Sequence, residues 1–141
     1  MDKIVIDAKD SLLGRIATTA AKRALLGEQV IVVNAEQAFI SGRKDQILQK
    51  YLAKLEIGQI RQGPYFYKNP ERFVKRAIRG MLPHKKPRGR EAYARIRCYE
   101  GIPAEFANEK IITIKEASIE KLPTLKRMSI KDLCHQVGGK R

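Results

Sequence analysis

Tryptophan is absent from this 141-residue chain, cysteine occurs only at Cys98 and Cys134, and no proline precedes Pro64. Two cysteines make no disulfide framework, so the chain does not read as a stapled secreted module. Long apolar runs are also missing. The longest are a few residues, such as Val30–Val33, against the roughly 18 needed to cross a bilayer. The opening MDKIVIDAKD carries Asp2, Asp7 and Asp10 and no apolar h-region, so no secretory leader is expected and an intracellular, reduced, soluble protein is. Acids are scarce: 15 Asp and Glu stand against 29 Lys and Arg, a net charge of +14. That excludes an acidic disordered chain or a polyanion mimic and favours a polyanionic partner. With 43% hydrophobic and 31% charged residues, the chain fits one globular domain with a heavily charged surface.

The charge is unevenly placed. Residues 1–57 and 98–141 each have a net charge of +2, whereas residues 58–97 hold 12 basic and 2 acidic residues. The same stretch holds five of the nine aromatics, Tyr65, Phe66, Tyr67, Phe73 and Tyr93. The chain therefore divides into a regular half over 1–57, a basic arm over 58–97 and a C-terminal strand and helix part over 98–141, all within a single domain.

Lys3–Asp7 reads as a strand. Ser11 is placed to cap a helix over about residues 12–26, with Leu13, Ile16, Ala17, Ala20 and Ala24 on one face and Gly27 at its end. The β-branched run Gln29–Asn34 suits a strand covered on both faces, completing a βαβ unit. A short strand over Ala38–Ser41 precedes a helix from about Lys44 to Leu55 that would bury Ile47, Leu48, Tyr51, Leu52 and Leu55. Gly63-Pro64 signals a turn and Tyr65–Lys68 an extended stretch. Asn69-Pro70-Glu71 starts a helix running to about Leu82. Its apolar face is Phe73, Val74, Ala77, Ile78 and Met81. Its opposite stripe is Arg72, Lys75, Arg76 and Arg79. His84–Gly89 is expected to be irregular, followed by a short helix over about 90–96 and a strand near Ile96–Tyr99. Lys110–Lys115 and Leu125–Met128 are further strand candidates. Ser129 and Asp132 form a capping box for a last helix that buries Ile130, Leu133, Cys134 and Val137.

Three kinds of chemistry fail on spacing. The first strand–helix turn, Asp7 to Gly14, lacks the closely spaced glycines of a dinucleotide site, and Asp7 and Asp10 would repel a pyrophosphate. Gly42-Arg43-Lys44 lacks the upstream glycine and following hydroxyl of a P-loop. His84, Cys98, Cys134 and His135 show no C-x-x-C or H-x-x-x-H pair, so no metal is expected and the cysteines read as small buried groups. No nucleophile stands beside an evident base and no carboxylate pair stands out, so no catalytic residue is assigned.

What stands out is the stripe. Between Glu71 and Glu91 lie eight Lys or Arg with no acid among them: Arg72, Lys75, Arg76, Arg79, Lys85, Lys86, Arg88 and Arg90. A solvated helix face normally intersperses acids at i±4, and an uncompensated cluster costs stability unless an anion neutralises it. Irregular basic loops with Pro, Gly and aromatics suit folded RNA, because nothing here is a helix-turn-helix, zinc finger or basic zipper. Arg chelates phosphate through parallel hydrogen bonds, and Tyr or Phe supports a stacked base. Tyr65–Tyr67 fit that role and equally fit an apolar anchor onto the domain.

The stretch Arg79-Gly80-Met81-Leu82-Pro83-His84-Lys85-Lys86-Pro87-Arg88-Gly89-Arg90 closely resembles the signature of the universal large-subunit ribosomal protein L-thirteen family. So do Asp7-Ala8, Leu13-Gly14-Arg15, Val33-Asn34-Ala35-Glu36, Ser41-Gly42-Arg43-Lys44 and Tyr99-Glu100-Gly101-Ile102-Pro103, in order along nearly the whole chain. The Met-Leu-Pro-His-Lys-Lys stretch and the short ends resemble the archaeal type. The resemblance implies a three-layer α/β domain: a mainly parallel four-stranded sheet, helices on both faces, and the basic helical and loop arm. It implies a structural constituent of the large ribosomal subunit that binds large-subunit ribosomal RNA, supports early subunit assembly and touches neighbouring ribosomal proteins in the cytoplasm. It implies no enzymatic activity, cofactor, small-molecule substrate or membrane. Carried onto this chain, the RNA contacts it implies are Arg43, Lys44, Lys68, Arg72, Lys75, Arg76, Arg79, His84, Lys85, Lys86, Arg88 and Arg90. Two rivals remain: a free-standing regulatory RNA binder, and a small α/β nucleotidase or nuclease using the sheet's carboxyl edge near Asp10.

Overall fold

Alternation along KIVID sends Ile4 and Ile6 to one side of β1 (Lys3–Asp7) and Val5 to the other. β2 (Gln29–Val33) repeats the arrangement, with Val30 and Val32 beside Ile4 and Ile6, and Ile31 and Val33 beside Val5. Four of the five residues of β2 are buried, as in a central strand covered on both faces. β4 (Ile96–Cys98) adds outside β2 and β5 (Ile111–Thr113) outside β1, giving the order β4-β2-β1-β5 with every pairing parallel. A separate antiparallel ribbon joins β3 (Phe39–Ser41) to β6 (Arg127–Ser129). These elements come from a computed structural model that describes residues 2–58, 61 and 68–138.

The result is a three-layer α/β fold. One face of the sheet carries α1 (Leu13–Leu25), α3 (Pro70–Arg79), α4 (Pro87–Ala94) and α5 (Ile130–Gln136), while α2 (Lys44–Glu56) sits over the β3–β6 ribbon. The buried face of α1 includes Ala17, Ala20, Ala21 and Ala24, and their small side chains let α3 and α4 approach closely. Val74, Ile78, Leu82 and Ala92 pack into this main core. The other face is covered by the 3₁₀ helix Ala104–Phe106, whose Phe106 ring tilts against Tyr99 at 5.6 Å over Val5, Ile31 and Val33. A third cluster, Ile47, Met128 and Leu133 with Ile40, Tyr51 and Phe73 around it, ties α2, the ribbon and α5 together.

The structure departs from the sequence reading in several places. Ser11 does not cap α1. Leu12 holds the cap position without a side-chain bond, and Ser11 is buried in a bridge to Ser118 with its hydroxyl on the Lys9 carbonyl. Of the five residues assigned to the buried face of α2, only Ile47 is fully buried, and Leu52 is 37% exposed. A lone helix over a two-stranded ribbon has too little apolar surface beneath it to cover a full stripe. α3 stops at Arg79, and turns carry the chain to Pro83, leaving Met81 45% exposed against Thr18. β6 begins two residues and ends one residue later than expected, with Leu125 outside it and 87% exposed. Val137 is only half-buried, whereas the Ser129 hydroxyl does accept from the Asp132 amide at 3.2 Å. The expected turn at Gly63-Pro64 and extended stretch at Tyr65–Tyr67 lie outside the described residues.

The largest departure is at His84–Gly89. Pro87 opens α4, so Arg88 and Gly89 are helical rather than irregular. Proline suits a first helical turn because its missing N–H would have no partner there, which is the same reasoning that places Pro70 at the start of α3. The Lys86 amide closes the preceding turn onto the Pro83 carbonyl at 2.9 Å. Gly89 then passes so close to that turn that an added Cβ would lie 2.0 Å from the Pro83 oxygen. Glycine is needed here for the close approach, since its φ is not positive. Gly89→Ala must therefore push backbone apart, at a cost of about 3 kcal/mol or more. A urea titration should show a clearly lowered midpoint, and an unchanged midpoint would contradict the packing described.

Candidate nucleic-acid interface

α3 is amphipathic by sequence and anchored on one side only. Asn69 is extended, Pro70 opens the helix and Glu71 sits in its first turn, as the N-terminal partial charge favours. Val74 and Ile78 are fully buried. On the opposite side Arg72 and Arg76 are exposed, while Lys75 and Arg79 are half-buried. The Lys75 ammonium lies 4.6 Å from the centroid of the Tyr93 ring, a cation–π contact that holds it in place. The Nε of Arg79 is buried without a hydrogen-bond partner.

The cations continue past the helix. Lys85, Lys86, Arg88 and Arg90 are all exposed, and His84 is half-buried, on the tight turn and first residues of α4. The Lys86 cap makes no side-chain bond, and Pro87, Arg88 and Arg90 of the first turn of α4 are exposed beside these cations. Arg76, Lys85, Lys86, Arg88 and Arg90 have no carboxylate partner among the described residues. The ion pairs Lys3–Glu109 and Arg23–Glu28 both lie outside residues 58–97. These five cations are not neutralised from within the described residues.

The remaining assigned residues lie elsewhere. Lys68 is exposed beside Gly138 at the end of α5. Arg43 and Lys44 begin α2 and join Lys126 and Arg127 around a shallow pocket of about 280 Å³. The β3–β6 ribbon makes this junction, pairing Ser41 with Arg127 and bonding the Gly42 amide to the Lys126 carbonyl at 2.9 Å. The Arg127 guanidinium rests 5.2 Å from the Phe39 ring centroid. Sequence reading missed Lys126 and Arg127, because a strand pairing distant in sequence brings them to Arg43. Their only local mark is the basic dipeptide itself. Arg97 was also missed: it is exposed on β4 and joins Arg72 and Lys75 around a larger pocket.

The carboxyl edge of the sheet, where open parallel sheets hold nucleotides, is filled by the protein's own hydrogen bonds. Asp7 Oδ1 accepts from the Lys9 amide and from Asn34 Nδ2, each at 2.9 Å. Asn34 is left-handed at φ 56°, and its amide donates to the Gly101 carbonyl at 2.9 Å. Glu36 Oε2 accepts from the Gly101 amide at 3.0 Å. Among the described residues no three His, Cys, Asp or Glu converge as a metal would need.

The chain is similar to known ribosomal proteins. Residues 1–105 match the family model described as Ribosomal protein L13. The large ribosomal subunit protein uL13 of Methanosarcina barkeri is 43% identical over 137 residues, 96% of this chain and 98% of that protein. The protein of the same name from Natronomonas pharaonis is 44% identical, covering 96% of this chain and 91% of the relative. That from Haloarcula marismortui is 41% identical, covering 98% and 92%.

The two cysteines are shielded. Burial pushes both thiols from 9.0 up to about 12. Lys75 pulls Cys98 slightly back, and the charge of Glu100 adds to the rise at Cys134. At pH 8 the native thiolate is suppressed by roughly 100-fold or more. A thiol reagent should therefore react slowly with native protein and fast once urea unfolds it; rapid native reaction would contradict the burial. The sign for stability follows. The unfolded thiols ionise near 9.0 and the folded ones near 12, so these groups cost stability as pH rises through that window and cost none below it.

Proposed function

The chain belongs to the ribosomal protein L13 family, and from that premise we propose that its cations at α3 and the 84–90 turn hold ribosomal RNA in the large subunit. The protein is a structural, non-enzymatic constituent of the ribosome, working in the cytoplasm with large-subunit ribosomal RNA and neighbouring ribosomal proteins. The observation that carries the site assignment is the cluster of Arg76, Lys85, Lys86, Arg88 and Arg90, exposed and without a carboxylate partner among the described residues, on helices whose opposite face is locked into the main core. An interface of this kind arrives preformed, so ordering it on RNA costs little. Arg72, Arg76, Arg79, Arg88 and Arg90 suit bidentate phosphate contact, and Lys75, Lys85 and Lys86 act as point charges. Lys68, Arg43 and Lys44 extend the contact to the α2 and α5 side, and His84 adds a polar contact within the turn. In this reading residues 1–57 and 98–141 form the rigid platform of a single domain, and residues 58–97 serve both as a structural layer and as the RNA-binding arm.

With about 8 phosphates neutralised, the logarithm of affinity for a large-subunit RNA fragment should fall with the logarithm of salt at a slope of roughly −6 to −7. Filter binding between about 50 and 200 mM salt measures it, and a flat dependence would overturn the mechanism. Arg76→Glu combined with Lys86→Glu reverses two exposed cations without touching the core. The double variant should melt as the parent does and yet fail to enter large subunits on sedimentation. Normal incorporation would count against this face as the contact surface.

A further inference from the structure

The larger pocket lies between α3, α4 and β4, with Glu71, Arg72, Lys75, Tyr93, Arg97 and Tyr99 on its walls and a volume of about 440 Å³. That size falls within the roughly 300–1,000 Å³ of pockets that engulf a small ligand. That volume suits one nucleotide rather than a duplex. We propose that this pocket receives a single unstacked nucleotide of the RNA chain, with a preference for guanine. The proposal rests on the RNA-binding reading above and deepens it by naming a base-reading subsite.

The chemistry of the walls divides as a nucleotide does. Arg72, Lys75 and Arg97 supply three cations for the sugar-phosphate on either side of the base. Tyr93 and Tyr99 supply aromatic surface, and stacking on such rings is sequence-tolerant. The Tyr99 ring packs against Phe106 at 5.6 Å, which leaves it the better stacking surface, while the Lys75 ammonium lies over the Tyr93 ring at 4.6 Å. Glu71 is the one acid among these walls. A carboxylate facing a phosphate repels it, so in a pocket built only for phosphate Glu71 would be a fault. Facing a base it accepts hydrogen bonds, and guanine offers two parallel donors, N1–H and the exocyclic amine, to its two oxygens. Uracil offers one. The Glu71 charge is felt within this corner, since it raises the Cys98 thiol and the Glu100 carboxyl. β4 is an outer strand of the sheet, and Arg97 projects from it exposed, so a chain can reach the pocket from outside.

The test uses the full chain with two single-stranded RNA hexamers, UUGUUU and UUUUUU, read by fluorescence anisotropy. The expected result is at least fivefold tighter binding of the guanine-containing hexamer. Glu71→Gln should abolish that preference while leaving the salt dependence intact. Arg97→Ala should weaken both hexamers alike and lower the salt slope by about one. Thermal melts of both variants check that they fold. Equal affinity for the two hexamers, with steep salt dependence retained, would overturn the subsite and leave RNA binding standing. Loss of salt-dependent binding altogether would overturn the broader reading as well. A third arm titrates guanosine monophosphate alone: affinity matching that of the guanine hexamer would assign the pocket to a free nucleotide and refute the RNA-chain assignment.

Discussion

The arrangement depends on the one-sided anchoring of α3. Arg72, Lys75, Arg76 and Arg79 make four like-charge contacts at i,i+3 or i,i+4 along one helix, and each costs about 0.2–0.5 kcal/mol. Together these contacts cost about 1–2 kcal/mol in the absence of an anion. Full burial of Val74 and Ile78 contributes about 1.5–3 kcal/mol each. The apolar side therefore outweighs the repulsion, and the helix holds its cations in place without any anion. A helix with the same charges and no core contact would be frayed by its own field.

That anchoring reaches back to the first strands. α3 and α4 seat against α1 because the face they meet is alanine-rich, and α1 seats on the sheet because Leu13 and Ile16 fill the space above Ile4, Ile6, Val30 and Val32. The turn between α3 and α4 is then closed by the contact of Gly89 with Pro83. A stretch that looks like an appendage by charge is thus a structural layer by packing. Its apolar residues complete the domain core, and its basic residues face away from it.

Much of this was legible in the chain because the periods were clean. The alternation of KIVID marks β1 to the residue, the run QVIVVN marks β2 to within one residue of its end, and Asn69-Pro70-Glu71 marks the start of α3. The α4 boundary is less legible because the charge density of His84–Gly89 argues for a loop, whereas Pro87 opens a helix there as Pro70 does for α3. Ser11 was misread because a hydroxyl near a helix start has two uses. Here a bridge to Ser118, distant in sequence, took it out of the capping position. The stripe of α3 could be seen from spacing alone. Arg97, Lys126 and Arg127 could not, because parallel and antiparallel pairings remote in sequence decide what lies beside them.

The motifs that carry the family resemblance separate into two physical roles. Asp7-Ala8, Asn34-Ala35-Glu36 and Tyr99 to Gly101 meet at one place, where Asn34 bonds both Asp7 and Gly101 while Glu36 bonds the Gly101 amide. This junction locks the carboxyl ends of β1, β2 and β4 together and occupies the ground on which related open sheets seat a nucleotide. The Arg79–Arg90 stretch and Arg43-Lys44 carry cations outward. One set makes the platform rigid at the edge where an α/β enzyme would be open, and the other presents charge on a face that platform supports. A chain that uses its polar residues to close its own sheet edge leaves its cations on the helical surface, where Arg76, Lys85, Lys86, Arg88 and Arg90 have no carboxylate partner among the described residues.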